Sequence, residues 1–155
     1  MKVFKNINEL EASVGEELGV TEWQKITQKQ INEFAEVTGD LQWIHTKPMK
    51  AKLLSPFKTT IAHGFLVLSL APRMLEDIYA VKSVKMGINY GLNHVRFTAP
   101  VPVNSEVRGK AILKSFEKMD NQRGKGARLI VSLTFELKNS EKPACVAELV
   151  FLIYE

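Results

Sequence analysis

The spacing of apolar and polar residues divides the chain into a helical first half and a strand-rich second half. Apolar residues recur every three or four positions over residues 7–14 and again between Thr27 and Gly39, which predicts two helices. From residue 84 onward the period falls to two, the spacing of a half-buried strand. Four strands are predicted, over residues 84–97, 105–119, 128–137 and 145–154. Turn-prone residues in 120–126 and 139–143 join neighbouring strands, so we expect an antiparallel sheet.

The second helix has a clear beginning and a clear end. Thr27 and Gln30 have the spacing of a capping box, in which each side chain satisfies a free N–H group at the helix start. Gly39 is the expected end, because glycine takes the positive φ of a helix C-terminus at little cost. Asp40 therefore begins a loop. A brief strand is predicted before this helix, over residues 22–26.

Residues 61–80 are apolar on almost every side, which predicts one helix that is buried on all faces. The connection that leads into it, residues 40–60, contains Pro48 and Pro56, which prevent a long helix. Consecutive hairpins that form a curved antiparallel sheet around one long central helix are an α+β arrangement. Several strands carry apolar residues on both faces, so the sheet needs a further cover. We expect a homodimer to provide it.

Length and composition fit one domain over residues 1–155. Of the 155 residues 45% are apolar, enough for one buried core. Cys145 is the only cysteine, which excludes an internal disulfide and a zinc-binding cysteine cluster, and we expect no metal. The apolar run at 61–75 is interrupted by Pro72 and Arg73, so no membrane span is expected. The N-terminal residues lack the pattern of a signal peptide, and the cytoplasm is the expected location.

The net charge of +4 would suit an anionic partner. Basic residues alternate with acidic ones along most of the chain and do not form a stripe with aromatic residues, so we expect no nucleic-acid partner. One local basic group consists of Lys47, Lys50, Lys52 and Lys58. This group is either a loop in solvent or a contact for a phosphate-bearing ligand.

Asp40 and His45 are two ionisable residues five positions apart on the loop after the second helix. Trp43 and Ile44 are apolar and draw this loop inward, which places both groups beside buried surface, where desolvation shifts pKa values. Such a pair can hold one water molecule and exchange protons with it and with a substrate. The alternative is structural, with Asp40 capping the turn after Gly39 and His45 an ordinary loop histidine.

The start of the predicted central helix offers a second chemical feature. The first N–H groups of a helix have no intrahelical partner, and the helix dipole favours negative charge at that end. Gly64 has no Cβ, so the oxygen of a thioester carbonyl can approach its amide closely and become polarised. The alternative is that glycine at this position only permits tight packing of the helix.

These motifs resemble those of the MaoC-like dehydratases, a family with the hot-dog fold that includes (R)-specific enoyl-CoA hydratases. The family pattern is matched by Phe34, Thr38-Gly39-Asp40, Leu41-Gln42-Trp43, Ile44 and His45. The segments TIAHGFLVLSL and NYGLNHVRFTAPVPVNSEV resemble the central helix and the strand after it. The motif DLQWIH, residues 40–45, is similar to that of the nodulation-protein-N-like subgroup. The chain departs from the family at Gln42-Trp43, where many members have Asn-Pro, and at Lys58, where a glycine is common.

The resemblance implies an (R)-specific enoyl-CoA hydratase, in which Asp40 and His45 match the residues that hold the catalytic water. Gly64 matches the amide that polarises the thioester carbonyl. The Ser69 hydroxyl either supports the loop that bears Asp40 or bonds its own helix. The substrate would be a thioester of coenzyme A or of acyl carrier protein, whose phosphates the lysines could contact, and no cofactor is needed. Two alternatives stay open: a hot-dog thioesterase, which commonly has its acid on the central helix, and a binding module without activity.

Overall fold

Eight strands and six helices make up the computed structural model, which describes all of residues 1–155. In chain order they are β1 (Lys2–Phe4), α1 (Ile7–Glu11), β2 (Glu17–Val20), β3 (Gln24–Lys25), α2 (Gln28–Thr38), α3 (Trp43–Thr46), α4 (Pro48–Leu54), α5 (Gly64–Ser69), α6 (Ala71–Ile78), β4 (Tyr79–Val81), β5 (Met86–Phe97), β6 (Glu106–Asn121), β7 (Gly124–Leu137) and β8 (Cys145–Tyr154). The predicted α+β class is confirmed. No helix among them combines the length and the apolar character that crossing a membrane requires.

The main sheet is antiparallel throughout, as its hairpins predict. Its strands lie in the order β2-β6-β7-β8-β5, and β3 also pairs with β6. The β6 and β7 pairing continues to Asn121 and Gly124, so the turn between them is shorter than the predicted segment 120–126. A separate parallel pair joins β1 to β4 and ties the N-terminus to the end of α6. The strand β5 forms one edge of the main sheet.

The core lies between one face of this sheet and the helices α5 and α6. Alternate residues of β7, from Leu129 to Phe135, are fully buried, and Met74 and Leu75 of α6 belong to the same cluster. Gly109 on β6 allows the close approach, because a Cβ at that position would lie 2.8 Å from the sulfur of Met74. Burial of this apolar surface is the main stabilising contribution to the fold.

The prediction of one uninterrupted helix over residues 61–80 is wrong. The structure has two shorter helices, α5 and α6, with a break at Leu70, and residues 79–81 form β4. Pro72 explains the break, because it has no N–H group to donate to the carbonyl of Leu68 and its ring would collide with that carbonyl. The Leu70 N–H bonds the Val67 carbonyl at 3.2 Å, a tighter turn. Residues 61–63 stay extended because Ala62 N–H bonds Val101 O.

The first half of the chain follows its local signals closely. The Thr27–Gln30 capping box is present, and Gly39 ends α2 with φ of 77°. The connection over residues 40–60 contains two short helices, with Pro48 in the first turn of α4, and Pro56 follows the end of that helix. The strand predicted over residues 22–26 is reduced to the two residues of β3.

Candidate active site

The loop that follows α2 is built by the residues of its own motif. The Thr38 hydroxyl donates to the Phe34 carbonyl at 2.7 Å, and the Asp40 N–H lies 3.5 Å from that hydroxyl. The Asp40 carboxylate accepts the Gln42 N–H at 3.4 Å, which closes a small turn. The Asp40 side chain is itself 54% exposed, although its carboxylate lies beside the buried imidazoles of His45 and His63. The apolar residues Trp43 and Ile44 come after Asp40 in the chain, and it is His45, next to them, that is buried.

His45 lies on α3 and is buried, as expected. Its Nδ1–H donates to the Ile61 carbonyl at 2.7 Å, which leaves Nε2 as the nitrogen with a free lone pair. Burial lowers the pKa of His45 below its ordinary value of 6.5; the hydrogen bond to Ile61 and the nearby Asp40 charge oppose that shift, and His63 adds to it. The lowered pKa favours the neutral imidazole, which is able to accept a proton.

A partly buried polar network fixes the backbone at His45. The Gln28 side chain, at the first position of α2, donates to the His45 carbonyl at 2.8 Å. Its oxygen accepts the hydroxyl of Thr60, a fully buried residue, at 2.5 Å. One side chain thus connects α2, α3 and the segment before α5. The sequence gives no signal for Gln28 beyond its place next to the capping box.

His63 lies in the site, although the sequence analysis gave it no role. Its ring stacks on that of His45, with centroids 3.9 Å apart and 26° between the planes, and Phe34 packs against it at 5.1 Å. Its Nε2–H donates to the Asp40 carbonyl at 3.0 Å, while the nearest Asp40 carboxylate oxygen is 3.9 Å away. Its buried Nδ1 has no hydrogen-bond partner. The available signal was a histidine directly before Gly64 inside a long apolar run.

A cavity of about 260 Å³ lies beside His45 and Gly64. Its other lining residues come from the segment before α5, from α5 and from residues 97–101 with Ala144. Gly64 is the first residue of α5, and none of the hydrogen bonds of the structure uses its N–H. A Cβ on Gly64 would lie 3.0 Å from the Phe97 ring, so only glycine leaves this part of the cavity open. The structure therefore brings His45 and Gly64 together.

Asp40, His45 and His63 also have to be considered as metal ligands. One ligand atom from each lies within 4.8 Å of the others. An imidazole binds a metal through a lone pair in the plane of its ring, at about 2.0–2.1 Å for zinc. His45 Nδ1 and His63 Nε2 already donate to main-chain carbonyls, so a metal would have to use the other nitrogen of each of two stacked rings. This arrangement of donors suits proton exchange better than it suits a metal.

Ser69 is not brought to the Asp40 loop. Its hydroxyl donates to the Leu66 carbonyl of its own helix at 2.7 Å, the alternative that the sequence left open. It lines a different cavity, between α5, α6 and the edge strand β5. No contact of Ser69 therefore supports the role in holding the Asp40 loop.

The His45 imidazole and the unused Gly64 amide line one cavity, and the Asp40 carboxylate lies beside that imidazole, an arrangement suited to an enzyme that moves protons on a carbonyl compound. The chain belongs to the family described as MaoC like domain, whose model matches residues 9–133. It is 49% identical to the 3-hydroxyacyl-thioester dehydratase Z of Mycobacterium tuberculosis over 96% of this chain and 95% of that protein. It is 38% identical to Nodulation protein N of Rhizobium leguminosarum over 96% and 91% of the two chains. The chain is a hydro-lyase of this family.

Solved structures agree on the fold. The protein described as a monoamine oxidase regulatory protein of Archaeoglobus fulgius superposes with a TM-score of 0.77 and 25% identity, over 98% of this chain and 95% of that one. The unliganded R-hydratase of Pseudomonas aeruginosa superposes with a TM-score of 0.71 and 20% identity, over 92% and 82% of the chains. The hot-dog fold implied by the sequence resemblance is confirmed.

Proposed function

We propose that this protein catalyses the reversible syn hydration of trans-2-enoyl thioesters, which gives (R)-3-hydroxyacyl thioesters. The observation that carries the proposal is the orientation of His45: its Nδ1–H is bound to Ile61, so Nε2 is free to accept a proton at the cavity. The Asp40 carboxylate lies close to it, and the unused Gly64 amide lines the same cavity. The similarity to a 3-hydroxyacyl-thioester dehydratase supports this reaction class.

Hydration begins with one water molecule held between the Asp40 carboxylate and His45 Nε2. His45 accepts a proton from that water as the water oxygen bonds to C3 of the enoyl group. The electron pair of the C2–C3 double bond moves toward the thioester carbonyl, and C2 then takes up the proton that His45 received. The substrate gains OH at C3 and H at C2, and the enzyme returns to its first protonation state. Both groups arrive from one side, which is syn addition.

Gly64 stabilises the charge that this step creates. As the double bond polarises, the thioester oxygen becomes enolate-like and negative, and the Gly64 N–H donates to it. A preorganised donor at such an oxygen is worth more in the transition state than in the ground state, and its loss typically costs about 10²–10³-fold in rate. The reaction transfers only water and protons, so it requires neither a metal nor a redox cofactor.

The substrate would be a thioester of coenzyme A or of acyl carrier protein. The cavity beside His45, at about 260 Å³, is slightly smaller than the usual range of ligand sites, about 300–1,000 Å³, and suits the reacting end of an acyl chain. We expect the enzyme to act in the cytoplasm and to have no nucleic-acid partner.

We also propose that the active form is a homodimer joined at β5. This strand has twelve residues, pairs only with β8 and leaves Met86, Tyr90, Leu92 and Phe97 exposed. A long apolar edge strand is a template for pairing with another strand. Pairing of β5 with its symmetry mate would satisfy its free backbone groups and cover those side chains.

The experiment that tests the reaction follows the absorbance of the enoyl thioester with crotonyl-CoA and with a longer enoyl-CoA. Wild type, Asp40→Asn and His45→Gln are compared, with Asp120→Asn as a control that removes an exposed carboxylate at the far turn. We expect absorbance to fall with wild type and the control only, without release of free thiol. Chiral analysis of the product should give the (R) alcohol.

Other outcomes identify the alternatives. Release of thiol in step with the absorbance loss would indicate a thioesterase. A wild-type protein that binds crotonyl-CoA but leaves its absorbance unchanged would indicate a binding module. If the two site variants keep full activity, Asp40 and His45 do not carry the reaction, whatever the protein does.

A further inference from the structure

An exposed apolar and basic surface lies on α4 and the turn after it. Ala51 is the only buried residue of α4, so nearly the whole helix faces solvent. Four large apolar side chains of this segment are between 41% and 73% exposed: Met49, Leu53, Leu54 and Phe57. We call these residues, together with Lys47, Lys50, Lys52 and Lys58, the α4 patch. Contiguous exposed apolar groups with a polar rim are typical of interaction sites.

The charge of the α4 patch is not compensated. All four lysines are exposed, and none takes part in any of the ion pairs of the structure. The sequence from Leu41 to Leu75 contains no Asp or Glu. The Lys50 ammonium group lies 5.1 Å from the centre of the Trp43 ring, which holds it at the surface next to α3. The patch therefore presents apolar groups inside a positive field.

The α4 patch is close to the site in the chain and in space. Pro48, where α4 begins, is three residues after His45, so their Cα atoms are within about 11 Å of each other. The chain that leaves α4 reaches Ile61, whose carbonyl holds His45 and whose side chain lines the cavity. A partner seated on α4 is thus a neighbour of the catalytic histidine.

We propose that the α4 patch docks an acyl carrier protein, an acidic helical protein that presents the enoyl group on a phosphopantetheine arm. This proposal rests on the proposed hydratase function, and it selects acyl carrier protein over coenzyme A as the carrier of the substrate. Lysines alone would suit the phosphates of coenzyme A equally well. Four exposed apolar side chains, Leu53 and Leu54 among them, are more than one adenine ring would cover, whereas together they complete an interface with a protein helix.

A second copy of the chain is a poor occupant for the same patch. In a two-fold interface the same surface meets itself, so the lysines of both copies would share one interface to which residues 41–75 contribute no acid, which costs free energy. An anionic membrane has the right charge, but it does not deliver a soluble thioester to the cavity. Charge complementarity and the neighbouring site together favour the carrier protein.

The test compares three crotonyl thioesters, those of pantetheine, coenzyme A and holo acyl carrier protein. The patch variants are Lys52→Glu and Leu53→Gln, and the matched controls are Lys142→Glu and Val14→Gln, which change exposed residues elsewhere. We expect both patch variants to raise KM for the carrier-protein substrate about tenfold or more. Turnover of the pantetheine thioester should stay at the wild-type value, and Leu53→Gln should also leave the coenzyme A thioester unchanged.

Binding of holo acyl carrier protein without an acyl group is measured by fluorescence anisotropy, which does not depend on catalysis. We expect wild type to bind it, more weakly at high salt, and both patch variants to lose that binding. If wild type binds the carrier but hydrates none of the three thioesters, the docking proposal stands and the proposed function fails. If wild type hydrates crotonyl-CoA but does not bind the carrier, the function stands and the docking proposal fails.

Three further results would overturn the docking proposal. In the first, Lys52→Glu impairs coenzyme A and carrier substrates equally and Leu53→Gln impairs neither, so the patch binds phosphates only. In the second, wild type pellets with phosphatidylglycerol vesicles through the patch and does not bind the carrier. In the third, light scattering shows that the patch variants halve the mass of the assembly, which makes the patch a subunit interface.

Discussion

The imidazole rings of His45 and His63 are stacked, with their centroids 3.9 Å apart. The second ring limits the orientations of the first, and its own Nε2–H holds the main chain at Asp40. A single side chain from outside the Asp40 loop therefore contacts both members of the proposed catalytic pair. It touches the two groups without lining the cavity, so it is a positioning residue.

Replacement of His63 by Phe keeps an aromatic ring against His45 and removes the hydrogen bond to Asp40. We expect kcat to fall about 10-fold to 100-fold, because a small displacement of a catalytic group has effects of that size. His63 also contributes to the lowered pKa of His45, so the acidic limb of the kcat/KM profile should move to higher pH in the variant. An unchanged profile together with unchanged kcat would show that His63 only fills space.

The activity should depend on pH through His45. Burial lowers the pKa of His45 below 6.5, so the neutral base persists to a lower pH than for a free imidazole. We expect kcat/KM to be level near pH 7 and to fall only at a pH below 6.5. A limb centred above 6.5 in wild type would contradict this assignment.

The free energy of unfolding should also depend on pH through His45. Below pH 6.5 the unfolded chain takes up a proton at His45 before the folded chain does, so the unfolding free energy decreases as pH falls through this window. Urea unfolding at several pH values measures the slope, and His45→Gln should reduce it. The same slope in wild type and variant would locate the effect in other groups.

A methyl group at Gly64 should affect catalysis more than stability. The new Cβ would lie 3.0 Å from the ring of Phe97, which is partly exposed and able to shift. We expect the unfolding free energy of Gly64→Ala to stay within about 1 kcal/mol of wild type, while kcat falls about 10-fold or more as the amide becomes less accessible.

The control for Gly64→Ala is Gly109→Ala, in the core and away from the site. Its methyl group would lie 2.8 Å from the sulfur of Met74, so it should destabilise the protein and leave kcat unchanged. Urea unfolding and steady-state kinetics on both variants separate the two effects. Loss of stability without loss of kcat in Gly64→Ala would remove the reason to place the thioester at this amide.

Local signals in the sequence were sufficient for most of the fold. The Thr27–Gln30 box, the positive φ of Gly39 and the alternation along β7 each depend on neighbouring residues, and each is present in the structure. The break at Leu70 also has a local cause, Pro72, but the strength of the apolar pattern around it favoured one helix. At Lys58 the residue type does not indicate the backbone conformation. This lysine takes φ of 57°, a left-handed conformation that favours glycine, and the family commonly has glycine at this position.

The candidate site could be predicted only in part, because contacts distant in sequence complete it. Motifs led us to propose Asp40, His45 and Gly64, whereas the orientation of the His45 ring depends on its hydrogen bond to Ile61, sixteen residues later. The stacking of His63 and the bridge made by Gln28 require the folded chain, since 17 residues separate Gln28 from His45. No regular spacing along the sequence predicts either contact.

The proposed homodimer can be tested at the edge strand. Leu92 on β5 is 46% exposed, and Val14, far from this edge in sequence, is 44% exposed, so the two positions make a matched pair for the same substitution. Leu92→Lys places a charge opposite its symmetry mate and should convert the dimer to a monomer, with a mass near 17.5 kDa by light scattering, whereas Val14→Lys should remain dimeric. If both variants and wild type are monomers, the exposed apolar residues of β5 have another role. If Leu92→Lys stays dimeric with full activity, the subunits join at another surface.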